Sequence, residues 1–235
     1  VTDHSRSSAQ ANGLSEERLL QHIEDVHRAR EKVKGIQILA GSEVDILADG
    51  TLDYGDDLLR KLDVVVASPH ASLSQDEDTC TARLLAAIRH PLVNILGHPT
   101  GRLINRRPGL SPRMAELFAA ARECGVALEI NSHWMRLDLR DTHVRAAVEA
   151  GCKIAINCDD HAESDAASTA SIRTNARTTS NGGAAPWVGP HSRLRGGSPM
   201  NPTVLSSRMP NFFAKGVPEY PAIAPPRSPS DPYDR

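Results

Sequence analysis

Six side chains in this sequence share both a chemical type and a position. His4, Glu43, His70, His98, Asp159 and His161 each stand at or just past a short apolar run. Glu43 comes after Ile38-Leu39-Ala40-Gly41-Ser42, and His70 after Val64-Val65-Val66-Ala67-Ser68-Pro69. His98 comes after Ile95-Leu96-Gly97, and Asp159 and His161 after Ile154-Ala155-Ile156-Asn157. Neutral imidazole and carboxylate are the donors that suit zinc, manganese and iron. Six such groups exceed the four ligands of one ordinary zinc site, so the set predicts a cluster of two or three ions. Clusters of this kind hydrolyse phosphoesters: the metal lowers the pKa of bound water and neutralises charge on the phosphoryl oxygens. Arg102, Arg106 and Arg107 follow the His98 run and are candidates for bidentate phosphate binding. A single histidine carries little weight, because most are surface or satisfied core residues; the shared position is what lifts these. His22, His27, His90, His133, His143 and His191 lack that position and read as ordinary polar residues, His133 being the least secure exclusion because it follows the run Val126 to Ile130.

Such ligands converge only if the apolar runs are parallel strands ending on one face. The sequence reads as repeated strand-then-helix. Ser15 is a plausible N-cap for an amphipathic helix with Leu19, Leu20, Ile23 and Val26 inward, ended by Gly35. Strands are expected over 36–46, 63–68, 93–97, 126–130 and 152–157. Helices are expected over 58–62, 78–89, 111–124 and 142–150, with Gly125 and Gly151 as caps. Short apolar strands separated by helices imply a parallel sheet covered by helices, and five or six such units suggest a barrel.

The character of the sequence changes after His161. Eleven of the sixteen prolines lie there, among Ser, Thr, Gly and Arg, with eight Lys/Arg against five acids. Proline removes a donor and blocks helix and central-strand interiors, so residues 162–235 are expected to be a disordered tail, or the product of a shifted reading frame. The chain as a whole carries a formal charge of -2, which does not bind nucleic acid by charge alone, and 3% aromatic residues disfavour a stacking platform for single-stranded nucleic acid. Cys80, Cys124, Cys152 and Cys158 form no C-x-x-C pair and read as reduced, apolar side chains of a cytoplasmic protein. No run is long enough for a membrane span.

The sequence also carries T-D-H-S at Thr2 to Ser5, A-N-G-L-S at Ala11 to Ser15, G-S-E-V-D-I-L at Gly41 to Leu47, and D-G-T-L-D at Asp49 to Asp53. V-A-S-P-H follows at Val66 to His70, I-L-G-H-P-T-G-R-L at Ile95 to Leu103, E-I-N at Glu129 to Asn131, R-L-D-L at Arg136 to Leu139, and I-N-C-D-D-H at Ile156 to His161. In these segments the chain resembles the PHP (polymerase and histidinol phosphatase) family, and most closely the C-terminal PHP domain of bacterial family X DNA polymerases. The resemblance covers about residues 1–162. It implies a distorted (β/α)7 TIM-like barrel over 1–161 with up to three Mn2+ or Zn2+ ions. By motif position His4, Glu43, His70, His98, Asp159 and His161 fall on family metal ligands, with Glu43 bridging and Glu43 and Asp159 as the catalytic carboxylates. The implied activity is 3′-to-5′ exonucleolytic phosphoester hydrolysis at DNA 3′ ends in repair, beside an upstream polymerase domain. The family's opening strand with its H-x-H motif would precede Val1, so the resemblance implies an N-terminally truncated barrel of weakened activity. Two other readings compete: a small-molecule phosphatase of histidinol-phosphatase type, and a degenerate, non-catalytic PHP domain that supports a polymerase.

Overall fold

The computed structural model describes residues 1–159, all of which lie in one compact unit. The expected tail and the candidate ligand His161, with His191, lie outside the described residues. The architecture is α/β: six strands, β1 (Thr2–His4), β2 (Gly41–Asp45), β3 (Val64–Ser68), β4 (Ile95–Leu96), β5 (Ala127–Asn131) and β6 (Lys153–Asn157), pair in chain order, every pair parallel. One helix bridges each successive pair: α1 (Glu16–Lys32), α2 (Asp56–Leu59), α3 (Glu77–Arg89), α4 (Met114–Cys124) and α5 (Asp141–Glu149). The strand order runs without the reversal that marks a doubly wound sheet. Among the described residues the sheet is open, because β1 and β6 each pair on one side only.

Local chemistry explains these bounds. The Ser15 side chain accepts a hydrogen bond from the Arg18 backbone N–H, and Glu16 and Glu17 stand in the first turn of α1, where the helix dipole favours acids. Asp76 caps α3 in the same way through Thr79. Gly125 ends α4 in the left-handed region (φ 69°), donating to carbonyls of the last turn. Three expectations shift. The first helix ends at Lys32, short of Gly35, and Ile36 is 65% exposed, so β2 begins only at Gly41. Helix α4 starts at Met114, not at Ser111-Pro112, because the Arg113 backbone N–H is bound to Thr81 Oγ1. Leu20, expected to face inward, is 38% exposed.

Side chains alternate across each strand. Val44, Ile46, Val65, Ala67, Leu96 and Leu128 point to the helices and join the main core with Leu19, Ile23, Leu59, Leu84, Ile88 and Leu117. The strand residues between them, Glu43, Asp45, Ser68, Glu129, Asn131 and Asn157, face the other way. The sheet therefore has one apolar face and one polar face. Cys80 and Cys152 are buried thiols of the core, and burial pushes the pKa of each upward. No helix among the described residues is long and apolar enough to cross a membrane.

Leu84 of α3 has no exposed surface. We expect Leu84→Ala to destabilise the chain by about 2–5 kcal/mol through lost transfer energy and the cavity left behind. Urea unfolding checks this, with a lowered midpoint at an unchanged slope.

Candidate metal centre

Register builds the site. His4, the last residue of β1, stands opposite Glu43 in the middle of β2. His70 lies two residues beyond β3, His98 two beyond β4, and Asp159 two beyond β6. Parallel neighbours bring these positions together at one end of the polar face. Glu43 comes after the apolar run Ile38 to Ser42 but still lies inside β2, and it joins the others from the middle of the strand.

The Glu43 carboxylate meets three imidazoles. Its Oε1 is 3.0 Å from His98 Nε2 and 3.3 Å from His70 Nε2, and its Oε2 is 3.8 Å from His4 Nε2. The rings are set edge to face, with centroids 5.0 Å apart for His4 and His70 and 4.9 Å for His70 and His98. Five of the six candidate ligands, His4, Glu43, His70, His98 and Asp159, are brought together, and three combinations can hold an ion: His4 with Asp45 and His70, Glu43 with His70 and His98, and His4 with Glu43 and Asp159. None of His22, His27, His90, His133 and His143 enters these groups. His22 pairs with Asp3 and His90 with Asp56 on helices away from the centre.

Around the ligands stands a shell of polar residues. His70 Nδ1 donates to Asp45 Oδ1 at 2.5 Å, and Ser7 and Ser8 hydroxyls donate to the same carboxylate at 2.5 and 2.8 Å. A carboxylate on one imidazole nitrogen fixes the ring and leaves the other nitrogen for metal. Glu129, fully buried on β5, accepts from the His98 backbone N–H at 2.6 Å and from Asn157 Nδ2 at 2.7 Å. Asn131 Nδ2 donates to Asp159 Oδ2 at 3.3 Å. Asp138, with no exposed surface, accepts from Thr100 N, Thr100 Oγ1 and Gly101 N, each at 2.9 Å, and so clamps the loop that begins at His98. This support matters because His98 (φ 20°) and Asp159 (φ 56°) both hold positive φ, which costs a non-glycine residue on the order of 1–3 kcal/mol.

The electrostatics follow from the packing. Burial pushes the Glu43 carboxyl up, but hydrogen bonds and charge from His70 and His98 outweigh it and hold the group well below the usual carboxylate range. Asp45 is lowered in the same way, burial opposing and His70, Ser7 and Ser8 prevailing. For His70, burial works downward, yet the flanking Asp45 and Glu43 raise it to about 9. Glu129 is raised, chiefly by burial.

A pocket of about 360 Å³ opens onto the centre, lined by His4, Gln10, Ala11, His70, Arg136 and Asp159. Of the three arginines expected at phosphate, Arg102 donates to the carbonyls of Arg136 and Leu137, Arg107 donates twice to the Gly101 carbonyl, and Arg106 is exposed. The guanidinium that lines the pocket is Arg136, with Nε 3.4 Å from Asp159 Oδ2.

No family model matches the chain. Among characterised proteins, the DNA polymerase/3′-5′ exonuclease PolX of Bacillus subtilis (strain 168) is 44% identical over 161 residues, which are 68% of this chain and 28% of that protein. A probable phosphatase of Thermoanaerobacter sp. (strain X514) is 33% identical over 145 residues, 57% of each chain. Another, of Caldanaerobacter subterraneus, is 32% identical over 141 residues, 56% of this chain and 53% of its own length. The similarities support a PHP-type phosphoesterase domain related to family X polymerase. The chain spans just over a quarter of the first relative and little more than half of the other two.

The residues present fit a metal of the kind this similarity implies. Imidazole nitrogens and carboxylates make up the whole donor set. His4, His70 and His98 each turn Nε2 toward the one Glu43 carboxylate, an arrangement a bound cation would complete. Asp45, Glu129 and Asn131 are the polar residues that the sequence reading did not include. A signal for them exists: Glu43 and Asp45, like Glu129 and Asn131, are two apart on a strand and so share a face. Arg136 carries no such signal, since its place depends on the loop between β5 and α5.

Proposed function

We propose that this chain is the PHP-type, metal-dependent phosphoesterase domain of a family X DNA polymerase, acting as a 3′-to-5′ exonuclease on DNA ends in cytoplasmic DNA repair. The observation that carries this reading is the Glu43 carboxylate held among three imidazoles, with Asp159 near enough to share an ion with Glu43 and His4. In this reading the sheet belongs to a distorted (β/α)7 barrel whose interior is the polar face, and the polymerase domain precedes it in the parent protein. The residues that would hold the ions are His4, Glu43, His70, His98, Asp159 and His161. Bound Mn2+ or Zn2+ supplies a hydroxide at neutral pH and offsets charge on the phosphoryl oxygens. The protein's own groups do the rest. Asp45 and Glu129 orient His70 and His98. Arg136 faces the pocket where the scissile phosphate must lie and presents a planar fork suited to two of its oxygens. Arg102 binds the backbone that carries Arg136, Arg107 holds the Gly101 carbonyl, and exposed Arg106 is the further cation for a flanking phosphate.

A second reading is a phosphatase of small esters, favoured by the larger share of the probable phosphatases that the chain spans. One assay separates the two. The chain is given manganese and either 5′-labelled single-stranded DNA or a phosphomonoester such as histidinol phosphate or p-nitrophenyl phosphate. We expect stepwise shortening from the 3′ end, abolished by chelator, with kcat/KM at least about 100-fold above that for the monoester, a difference of roughly 3 kcal/mol in transition-state binding. A reversed preference establishes the phosphatase. No turnover of either substrate leaves the non-catalytic reading standing and removes the proposal.

A further inference from the structure

The loop between β5 and α5 makes a tight turn at residues 133–137. Arg136 N and Leu137 N both donate to the His133 carbonyl, at 2.7 and 3.0 Å. One member of this turn, Arg136, lines the pocket over the metal centre. Another, Trp134, is 74% exposed. Its indole is stacked on the His133 ring, with centroids 6.0 Å apart and planes 27° apart. The indole thus has the His133 ring as a neighbour, and most of its surface faces solvent. A second loop is joined to the turn: Ile104 N donates to the Met135 carbonyl at 2.7 Å, and Arg102 binds the carbonyls of Arg136 and Leu137. The two loops together expose Ile104, Trp134 and Leu137, three large apolar side chains, beside the exposed cation Arg106.

Leaving an indole in water forgoes its large burial energy, so an ordered, exposed tryptophan beside a substrate pocket calls for an occupant. The occupant must be flat, apolar on its faces and attached to a phosphate that Arg136 can reach. A nucleobase meets all three conditions, and stacking on aromatics is how single strands are held without regard to sequence. We infer that Trp134 is a base-stacking platform for the nucleotide next to the scissile phosphate, and that the 133–137 turn selects nucleic-acid strands over small phosphate esters. This rests on the phosphoesterase reading and names its substrate class. Overall aromatic scarcity does not oppose it, because one placed ring suffices for one base.

The test uses the full chain with Trp187→Phe, which leaves Trp134 as the sole tryptophan. Manganese is present, and the probe is oligothymidylate with phosphorothioate linkages at its 3′ end. Indole fluorescence is expected to be quenched on binding, and an oligonucleotide abasic at its 3′-terminal positions is expected to bind about 10–100-fold more weakly. Trp134→Ala should weaken oligonucleotide binding and raise KM for DNA by the same factor. Hydrolysis of a wholly abasic oligonucleotide should stay within about twofold, since it places no base on the ring. Trp134→Phe should restore most of the loss. Equal binding of the abasic probe overturns the inference, and so does an equal effect of Trp134→Ala on both substrates. A dimer in solution that Trp134→Ala dissociates also overturns it, by making the patch a contact between copies. Absence of all hydrolysis by the wild-type chain counts against the phosphoesterase reading, whereas quenching reports on the platform regardless.

Discussion

Glu43→Gln is expected to lower metal affinity and phosphoester hydrolysis each by at least about 10³-fold, equivalent to roughly 4 kcal/mol. The substitution keeps the shape of the side chain and removes its charge. Glu43 is the group on which His4, His70 and His98 converge, and it appears in two of the three ion-holding combinations. An amide offers one weak acceptor and a donor that opposes the neighbouring cations. Cations held there would lack the negative charge that Glu43 contributes. Asp45→Asn is the informative comparison. Asp45 fixes the His70 ring through Nδ1, and loss of such an orienting carboxylate costs about 10–100-fold. The expected order is therefore wild type, then Asp45→Asn, then Glu43→Gln, with circular dichroism showing all three folded. Equal activity in Glu43→Gln and wild type would remove Glu43 from the centre.

Metal affinity should rise with pH, about tenfold per unit up to near pH 9, and then level off. In the metal-free chain, burial of His70 favours the neutral ring, but the carboxylates of Asp45 and Glu43 prevail and raise its pKa to about 9. His4 and His98 are the other rings facing it. A ligating imidazole must be neutral at the metal-bound nitrogen, so binding expels this proton below pH 9. The same linkage acts on stability with the opposite sign. A folded-state pKa above the ordinary 6.5 contributes stability that is full below about pH 6.5 and is lost as the pH rises through 9. The contribution is about 3 kcal/mol. Glu129, raised by burial, acts in the same direction. Glu43 and Asp45, both lowered, contribute stability above the ordinary carboxylate range and lose it on acidification. Metal-free chain should thus lose stability from about pH 7 to 9, while saturating manganese reverses the trend over the same range. Chelator competition titrations and paired urea curves measure both. Parallel pH trends with and without metal would contradict the assignment of His70.

Much of the fold was legible because the elements obey local rules. Ser15 before Glu16-Glu17, Asp76 before α3 and Gly125 after α4 are punctuation written in single residues, and the apolar runs between them could only be buried strands. Strand order was less accessible. Repeated strand-helix units imply parallel pairing, yet closure into a barrel depends on pairing at the sheet edges, which local pattern does not encode. The grouping of the candidate ligands was legible for a related reason: parallel strands put the residues that follow them on one face, so His70, His98 and Asp159 could be grouped without knowing any distance. Glu43 lies within β2, inside the strand expected over 36–46, and joins them from its middle. The residues that support the ligands were harder. Asp45 and Glu129 follow from side-chain alternation, once the polar face is recognised. Arg136 and Trp134 depend on how the 133–137 turn folds over the site, and that is set by contacts from Arg102, Ile104 and Asp138's neighbours, which are distant in sequence. The same contacts explain why Arg102 and Arg107 looked available for phosphate when their guanidinium groups hold main-chain carbonyls.

The most direct test of the central claim is the metal content of the purified chain, counted by elemental mass spectrometry beside the Glu43→Ala/His98→Ala double variant. The account predicts two or more manganese or zinc ions per wild-type chain and their loss from a variant that remains folded. A folded wild-type chain that retains no metal after loading, or a double variant that retains as much as the wild type, would contradict it.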